Sequence, residues 1–248
     1  MQIISWNVNG IRAVVRKGAL HACVATYDPD VLCFQETRAH PEQVRLELPG
    51  HLYQYWYGAD RRGYAGTAMV SKTAPLTVRH GMGVERHDHE GRVLTAEFAA
   101  CFVVSVYVPN AKRDLSRLAD RQDWDDCLLV YLKALEQHKP VVCGGDCNVA
   151  HTALDLTRPR ANVGQHGCTR EERAGFQRFI DAGFVDTLRH MHPTRRNSTP
   201  GGGNLAAPGN ATSVAHRLHS ALRRLAPAPP LGSDPVRGVW LGSLPCAS

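Results

Sequence analysis

The chain lacks the features that mark membrane, zinc-finger and disulfide-rich proteins. No stretch of its 248 residues approaches the about 20 consecutive apolar residues of a membrane-spanning helix. Its eight cysteines form no CxxC pair and no Cys/His set at zinc spacing, so we expect free thiols in a reducing compartment. The N-terminal segment has no basic region before its apolar run. We therefore expect no secretory signal, no membrane partner and a cytoplasmic location.

Acidic residues are outnumbered by basic ones. The chain has 23 acids against 29 lysines and arginines, giving a formal net charge of +6 and a pI of about 9.0. A basic balance favours a polyanionic partner such as nucleic acid, although many soluble proteins are equally basic.

The composition changes near Arg196. From there onward the chain contains five arginines and one acid, Asp234, in a background of alanine, proline, glycine and serine. Such a composition is typical of a linker or a disordered segment, and only Val214 to Leu225 has helical spacing. We therefore predict a folded domain at 1–195 and an atypical tail at 196–248 whose structure is incomplete or disordered.

Short apolar runs alternate with segments of helical periodicity in the first 195 residues. The spacing predicts helices at 11–27, 114–138 and 171–182, and a hairpin formed by strands at 92–98 and 101–108. Helices interleaved with strands, some of them antiparallel, favour a layered α/β fold built on mixed sheets.

The segment Val141 to His151 is the most informative stretch of the chain. Its apolar run ends in two glycines, followed by Asp146 and Asn148, whose spacing of two points both side chains the same way on an extended backbone. Paired oxygen ligands suit a hard divalent cation, and a carboxylate there can orient or deprotonate a water. Taken alone, the segment is explained equally well by a strand-to-loop turn.

Three further strands end in similar polar residues. The endings contribute Asn7 and Asn9, then Glu36, then Tyr107 and Asn110. Each has an ordinary explanation, since Asn-Gly and Pro-Asn are turn dipeptides and a single glutamate is often a surface charge. Because loops at one end of the strands build the site in layered α/β folds, the whole set predicts an oxygen-rich pocket for Mg²⁺ or Mn²⁺ rather than zinc.

The order of these motifs resembles the exonuclease III family of apurinic/apyrimidinic endonucleases, within the endonuclease/exonuclease/phosphatase superfamily. The resemblance covers about residues 1–195. The motifs that carry it are Ser5-Trp6-Asn7-Val8-Asn9-Gly10-Ile11-Arg12, Gln35-Glu36-Thr37, Gly63-Tyr64-Ala65-Gly66, Gly91-Arg92-Val93, Tyr107-Val108-Pro109-Asn110 and Gly145-Asp146-Cys147-Asn148-Val149-Ala150-His151. The fold implied by the resemblance is a four-layered α/β sandwich, in which two mixed β-sheets are flanked by helices.

The resemblance also implies a role for each matching residue. Glu36 matches the principal metal ligand, with Asn7 beside it. Asp234 is the third residue assigned to the metal site. Asp146 matches the residue that orients or deprotonates the attacking water. The remaining matches are Asn148, which holds water or a phosphate oxygen, Tyr107, which contacts the phosphate, and Arg38 and Asn110, which contact the DNA backbone. Arg38 stands where a lysine is usual, and Cys147 replaces a usual phenylalanine.

The implied reaction is hydrolysis of phosphodiester bonds with Mg²⁺ or Mn²⁺ as cofactor. The implied substrate is duplex DNA with abasic sites or blocked 3′ ends, bound largely through its phosphates. We expect a monomer. Two alternatives stay open: a phosphatase of the same superfamily that acts on a small phosphoester or lipid, and a catalytically dead remnant that binds DNA.

The family pattern breaks in the tail. The usual Trp-Trp segment, Arg-Ile-Asp-Tyr strand and Ser-Asp-His ending are not intact, and Pro235 follows Asp234 where the catalytic histidine is expected. Possible codons for this stretch can encode Trp-Trp and Arg-Ile-Asp-Tyr in a shifted frame, which suggests the hypothesis that small insertions or deletions shifted the reading frame from about Ser198 to about Pro235. The alternative is a genuinely diverged tail. A closing strand is expected again from Gly238 to Leu241. We predict weak or absent activity for the chain as written.

Overall fold

Two mixed β-sheets form the centre of the protein. The computed structural model describes residues 1–196, 216–217 and 238–242, and the description below concerns those residues. One sheet has five strands and the other has six. Among the described residues, no helix is both long and apolar enough to cross a membrane.

The first sheet has the strand order β10-β1-β2-β4-β3. Strands β1 and β2 are parallel, and the other neighbours are antiparallel. Two short helices make the crossover between the parallel strands. The bounds are β1 Gln2–Asn7, α1 Ile11–Arg16, α2 Ala19–Tyr27, β2 Val31–Gln35, β3 Tyr53–Tyr57, β4 Thr67–Ser71 and β10 His216–Arg217.

The second sheet has the strand order β5-β6-β7-β8-β11-β9. The pairs β5/β6 and β6/β7 are antiparallel, whereas the pairs β7/β8, β8/β11 and β11/β9 are parallel. The bounds are β5 Thr77–His80, β6 Val93–Glu97, β7 Phe102–Tyr107, α3 Leu118–Glu136, β8 Val141–Asp146, α4 Arg170–Asp181, β9 Val185–Asp186, α5 Thr187–Met191 and β11 Gly238–Gly242, with 3₁₀ turns at Pro41–Gln43, Ala153–Asp155 and Arg160–Asn162.

Three apolar clusters stack the elements into four layers. The central cluster joins the two sheets, with Ile3 and Met69 from the first and Val103 and Val142 from the second. An outer cluster packs α1 and α2 on the first sheet, and another packs α3 and α4 on the second. The predicted four-layered α/β sandwich is therefore confirmed.

Two predicted helices differ from those observed. The segment 11–27 is divided because Gly18 adopts a left-handed conformation, with φ of 71°, between α1 and α2. The helix predicted from Asp114 begins only at Leu118. The Asp114 carboxylate instead accepts the Ser116 backbone N–H at 3.1 Å, and Leu115 has a φ of 57° that no right-handed helix allows.

The tail contributes two short strands among its described residues. His216–Arg217 lies antiparallel to β1, so the helical interpretation of 214–225 is wrong at these two positions. Gly238–Gly242 inserts between β8 and β9, parallel to both, which agrees with the closing strand expected at 238–241. The predicted disorder of the remaining tail concerns residues outside those described.

Candidate active site

The predicted site residues converge at one edge of the sandwich. Asn7 lies opposite Gln35 in the parallel pair β1/β2, and Tyr107 lies opposite Asp146 in the parallel pair β7/β8. Because parallel strands end at the same edge of a sheet, the loops that follow these four strands meet there.

The Asn7 side chain joins the two sheets. Its amide nitrogen donates to the Glu36 carboxylate at 3.1 Å and to the Asp146 carboxylate at 2.7 Å. The Asn9 backbone N–H donates to the Asn7 side-chain oxygen at 2.9 Å, which fixes the direction of the amide. Two carboxylates from different sheets therefore share one donor nitrogen.

Glu36 is held in a left-handed backbone conformation, with φ of 56°. Its carbonyl accepts the Gly10 N–H at 2.8 Å, and the next carbonyl, of Thr37, accepts the Ile11 N–H at 3.0 Å. Such a conformation costs roughly 1–3 kcal/mol and persists only where the surroundings fix it. Arg38, two residues later and also left-handed, forms an ion pair with the Glu36 carboxylate.

Tyr107 faces the carboxylates from the second sheet. Burial raises the pKa of its phenol strongly, and the charges of Glu36 and Asp146 raise it further. The hydroxyl therefore stays protonated and donates to Glu36. Arg92 supports the ring, with its guanidinium carbon 4.8 Å from the ring centroid and a hydrogen bond to the Tyr107 carbonyl at 2.9 Å.

Asp146 is half-buried beside another carboxylate. Burial raises the pKa of Asp146 and so does the Glu36 charge, whereas hydrogen bonds from the Asn148 N–H and the Asn7 amide oppose the shift. The Asn148 N–H bond is 2.9 Å long. A carboxylate whose proton affinity is raised in this way is suited to accept a proton from water.

Two carboxamides border the site on the second sheet. Asn148, with a φ of 46°, donates from its side chain to the Val108 carbonyl at 2.8 Å. Its side-chain oxygen accepts from the Asn110 amide at 3.4 Å. The Asn110 oxygen in turn accepts the Lys112 N–H at 2.7 Å, so this rim is a connected set of amides.

The glycine before Asp146 has a steric reason. A Cβ atom at Gly145 would lie 1.8 Å from the Val106 carbonyl oxygen, well inside contact distance. Strand β8 can therefore approach β7 this closely only with glycine at this position. The close approach brings Asp146 opposite Tyr107.

The structure thus groups seven of the eight predicted site residues at this edge. The eighth, Asp234, lies outside the described residues. The metal-binding, catalytic and phosphate-binding roles of the seven stay predictions. Sequence reasoning gave no role to Arg92, and it missed Arg121, a helix residue with 1% exposure. The sequence feature that could have revealed Arg121 is a charged residue on the apolar face of a helix, one turn before the oppositely charged Asp125.

A separate group of potential metal ligands comprises His87, Asp123 and Cys127, whose ligand atoms lie within 4.8 Å of one another. The Arg86 guanidinium already binds both Asp123 oxygens, at 2.8 and 3.0 Å, and reaches the Cys127 sulfur at 3.4 Å. Hydrogen bonds from Arg86 and His87 lower the pKa of Asp123 to about 2. Because the Arg86 guanidinium already neutralises Asp123, the group is better described as an ion-pair cluster.

The sequence profile of the Endonuclease/Exonuclease/phosphatase family matches residues 4–217. The chain belongs to this family. It is 48% identical over 193 residues to an exodeoxyribonuclease of Bacillus subtilis, covering 78% of this chain and 76% of that protein. It is 47% identical over 197 residues to a zebrafish (Danio rerio) protein named DNA repair nuclease APEX1, covering 78% of this chain but 63% of that protein.

The fold matches solved structures as well. An AP endonuclease from Archaeoglobus fulgidus superposes with a TM-score of 0.70 at 27% identity, covering 90% of this chain and 82% of that one. The resemblance to exonuclease III and AP endonucleases is therefore confirmed, and the chain is a hydrolytic nuclease of a divalent-metal-dependent family.

Proposed function

We propose that this chain is a DNA-repair nuclease that uses Mg²⁺ or Mn²⁺ to hydrolyse phosphodiester bonds at abasic sites and blocked 3′ ends of duplex DNA. The observation that carries the proposal is the Asn7 amide, which holds the Glu36 and Asp146 carboxylates on a single nitrogen. Relatives named exodeoxyribonuclease and DNA repair nuclease support the assignment of DNA as substrate.

The residues at the sheet edge fit a hard divalent cation. Glu36 and Asn7 offer carboxylate and amide oxygens, the ligand types that Mg²⁺ prefers, and we assign the cation to them. When bound there, the cation would supply charge neutralisation at the phosphate and a lowered pKa for water. We also propose Asp234 as a metal-site residue, as the sequence predicts.

The chain's own residues would divide the remaining work. Asp146, with its raised pKa, accepts the proton of the attacking water. Tyr107, whose phenol stays protonated, donates to a phosphate oxygen. Asn148 holds water or a phosphate oxygen, and Arg38 and Asn110 contact the DNA backbone. The excess positive charge of the chain, +6, supports binding to phosphates that weakens with salt.

We assign the nuclease domain to 1–195 and the atypical tail to 196–248. Pro235 stands where the family pattern has its histidine, so we propose that the tail weakens catalysis. We also propose that the protein acts as a monomer in the cytoplasm. Sequencing the coding DNA tests the tail: if no shifted frame restores Trp-Trp and Arg-Ile-Asp-Tyr, the frameshift hypothesis is wrong.

The deciding experiment is a nicking assay on a duplex with one abasic site, with Mg²⁺ or EDTA. We expect slow Mg²⁺-dependent nicking that Asp146→Asn and Glu36→Gln abolish. The exposed Asp120 on α3 provides the control Asp120→Asn, which should nick like the parent chain. Binding of abasic DNA without any nicking would favour the catalytically dead remnant. Phosphate release from a phosphoinositide, with DNA untouched, would favour the phosphatase.

A further inference from the structure

Arg121 on α3 is a buried arginine whose two terminal nitrogens donate to groups outside its own helix. Its residue exposure is 1%, and a charged side chain this deep is costly unless it is paired and hydrogen-bonded. Its guanidinium donates to the Pro109 carbonyl at 3.0 Å, the Cys147 carbonyl at 2.8 Å and the Asn148 carbonyl at 3.4 Å. The three acceptors all belong to backbone outside the regular elements.

These acceptors lie in the two loops that carry the second sheet's share of the site. Pro109 precedes Asn110 in the loop after β7. Cys147 and Asn148 follow Asp146 in the loop after β8. One rigid, planar group therefore binds both loops at once and fixes their separation.

The guanidinium is itself anchored from two helices. Its Nε contacts both Asp125 oxygens at 3.0 Å, one turn along α3. The Glu172 carboxylate of α4 lies 3.9 Å from Nη1, and its other oxygen is held by the Thr169 hydroxyl at 2.7 Å. Gly175 makes room for the pair, since a Cβ there would lie 2.6 Å from Asp125 Oδ2.

We propose that Arg121 is a positioning residue for the nuclease site: through the carbonyls of Pro109, Cys147 and Asn148 it locks the β7 and β8 loops together. The lock keeps Asp146 and Asn148 facing Asn7 and Glu36. Arg121 bonds backbone carbonyls and touches none of the proposed reacting atoms. The proposal rests on the proposed function only for its consequence in catalysis.

A purely structural ion pair between α3 and α4 is the competing explanation. Such a pair would stabilise the whole domain evenly, and replacing it with apolar residues is often neutral or stabilising. A lock on two loops predicts instead that the loops open locally while the sheets remain closed. Local hydrogen exchange separates the two explanations and requires no catalytic activity.

The test compares amide exchange in Arg121→Met/Asp125→Leu with the parent chain. The double variant removes both charges of the Arg121–Asp125 pair, while the Glu172 carboxylate keeps its hydrogen bond from the Thr169 hydroxyl. We expect the loop amides of Val108, Lys112, Asn148 and Ala150 to exchange about tenfold faster or more, while those of β2 are unchanged. Arg121→Lys should show most of this effect, because an ammonium cannot span three carbonyls in a plane.

Leu128→Ala on the same helix is the matched control, because Leu128 is fully buried in the apolar cluster under the second sheet. This substitution should lower the stability of the whole domain, and amide exchange should therefore become faster in both sheets alike. Loop amides that exchange at the parent rate in the double variant, or an increase in exchange rate shared equally with β2, would overturn the proposal.

If the parent chain nicks abasic DNA, kcat should fall more than KM rises in Arg121→Lys. If the parent chain does not nick, the proposed activity of this chain fails, while the exchange result still decides the role of Arg121.

Discussion

The two sheets hold their site loops by different means. In the first sheet, backbone hydrogen bonds fix the loop after β2, where Glu36 and Arg38 have left-handed φ values of 56° and 49°. In the second sheet, one side chain from a covering helix, Arg121, bonds the carbonyls of both loops. Backbone bonds hold one half of the site largely independently of side-chain identity, whereas the other half relies on side chains, with Arg121 adding to the bonds of the Asn148 and Asn110 amides.

Asn7 is the point where the two halves meet. Its amide contacts Glu36 from the first sheet and Asp146 from the second. A displacement of either loop therefore changes the distance between the carboxylates. The contrast predicts that the second half is the more sensitive to point substitution.

The largest effect is expected from Gly145→Ala, in the second sheet. The new Cβ would lie 1.8 Å from the Val106 carbonyl, and the acceptor is backbone that cannot rotate away. We expect a loss of about 3 kcal/mol or more in the free energy of unfolding, or failure to fold. Urea unfolding followed by circular dichroism measures it. Gly164→Ala, at a glycine with no atom within 4 Å of the added Cβ, is the control and should cost about 1–2 kcal/mol for its left-handed φ.

An intermediate effect is expected from Asn7→Asp, at the junction. A third carboxylate would replace the donor that Glu36 and Asp146 share. With metal removed by EDTA, the free energy of unfolding should therefore fall by about 1–3 kcal/mol. Mn²⁺ should restore much of the loss, because the added charge strengthens the cation site. Urea midpoints with and without Mn²⁺ decide the matter. Asn110→Asp, at an amide that bonds Asn148 and Lys112 instead of Glu36 and Asp146, should lose less stability and show no recovery with Mn²⁺. Equal destabilisation with and without Mn²⁺ would contradict the cation site at this edge.

The smallest effect is expected from Arg38, in the first sheet. Arg38→Gly relieves a left-handed φ of 49° and removes an ion pair whose arginine side chain is 47% exposed. Relief of the left-handed φ is worth about 1–2 kcal/mol, loss of the exposed pair costs about 1 kcal/mol or less, and the greater backbone entropy of glycine in the unfolded chain costs about 0.5–1 kcal/mol. Stability should therefore stay within about 1 kcal/mol of the parent. Arg38→Ala loses the pair and keeps the strain, so it should be the less stable of the two. Identical midpoints for both variants would show that the backbone there is unstrained.

Much of the site could be predicted because its residues follow strand ends. Glu36 and Asp146 each stand directly after an apolar run, and the loops after parallel strands share an edge. The interruption of the first predicted helix at Gly18 could not be predicted from apolar spacing, which continues through it. The late start of α3 depended on Asp114 bonding Ser116, a local competitor of the helix.

The sequence by itself determined the family, the layered fold and the identities of the polar residues at the site, because each is written in local runs and motifs. Only the tertiary structure decided that Asn7 joins two carboxylates from different sheets, that Arg92 supports Tyr107 and that Arg121 binds both loops of the second sheet. Asn7 and Asp146 are 139 positions apart in the chain. No local pattern encodes such a pair, because it exists only once the two sheets have packed against each other.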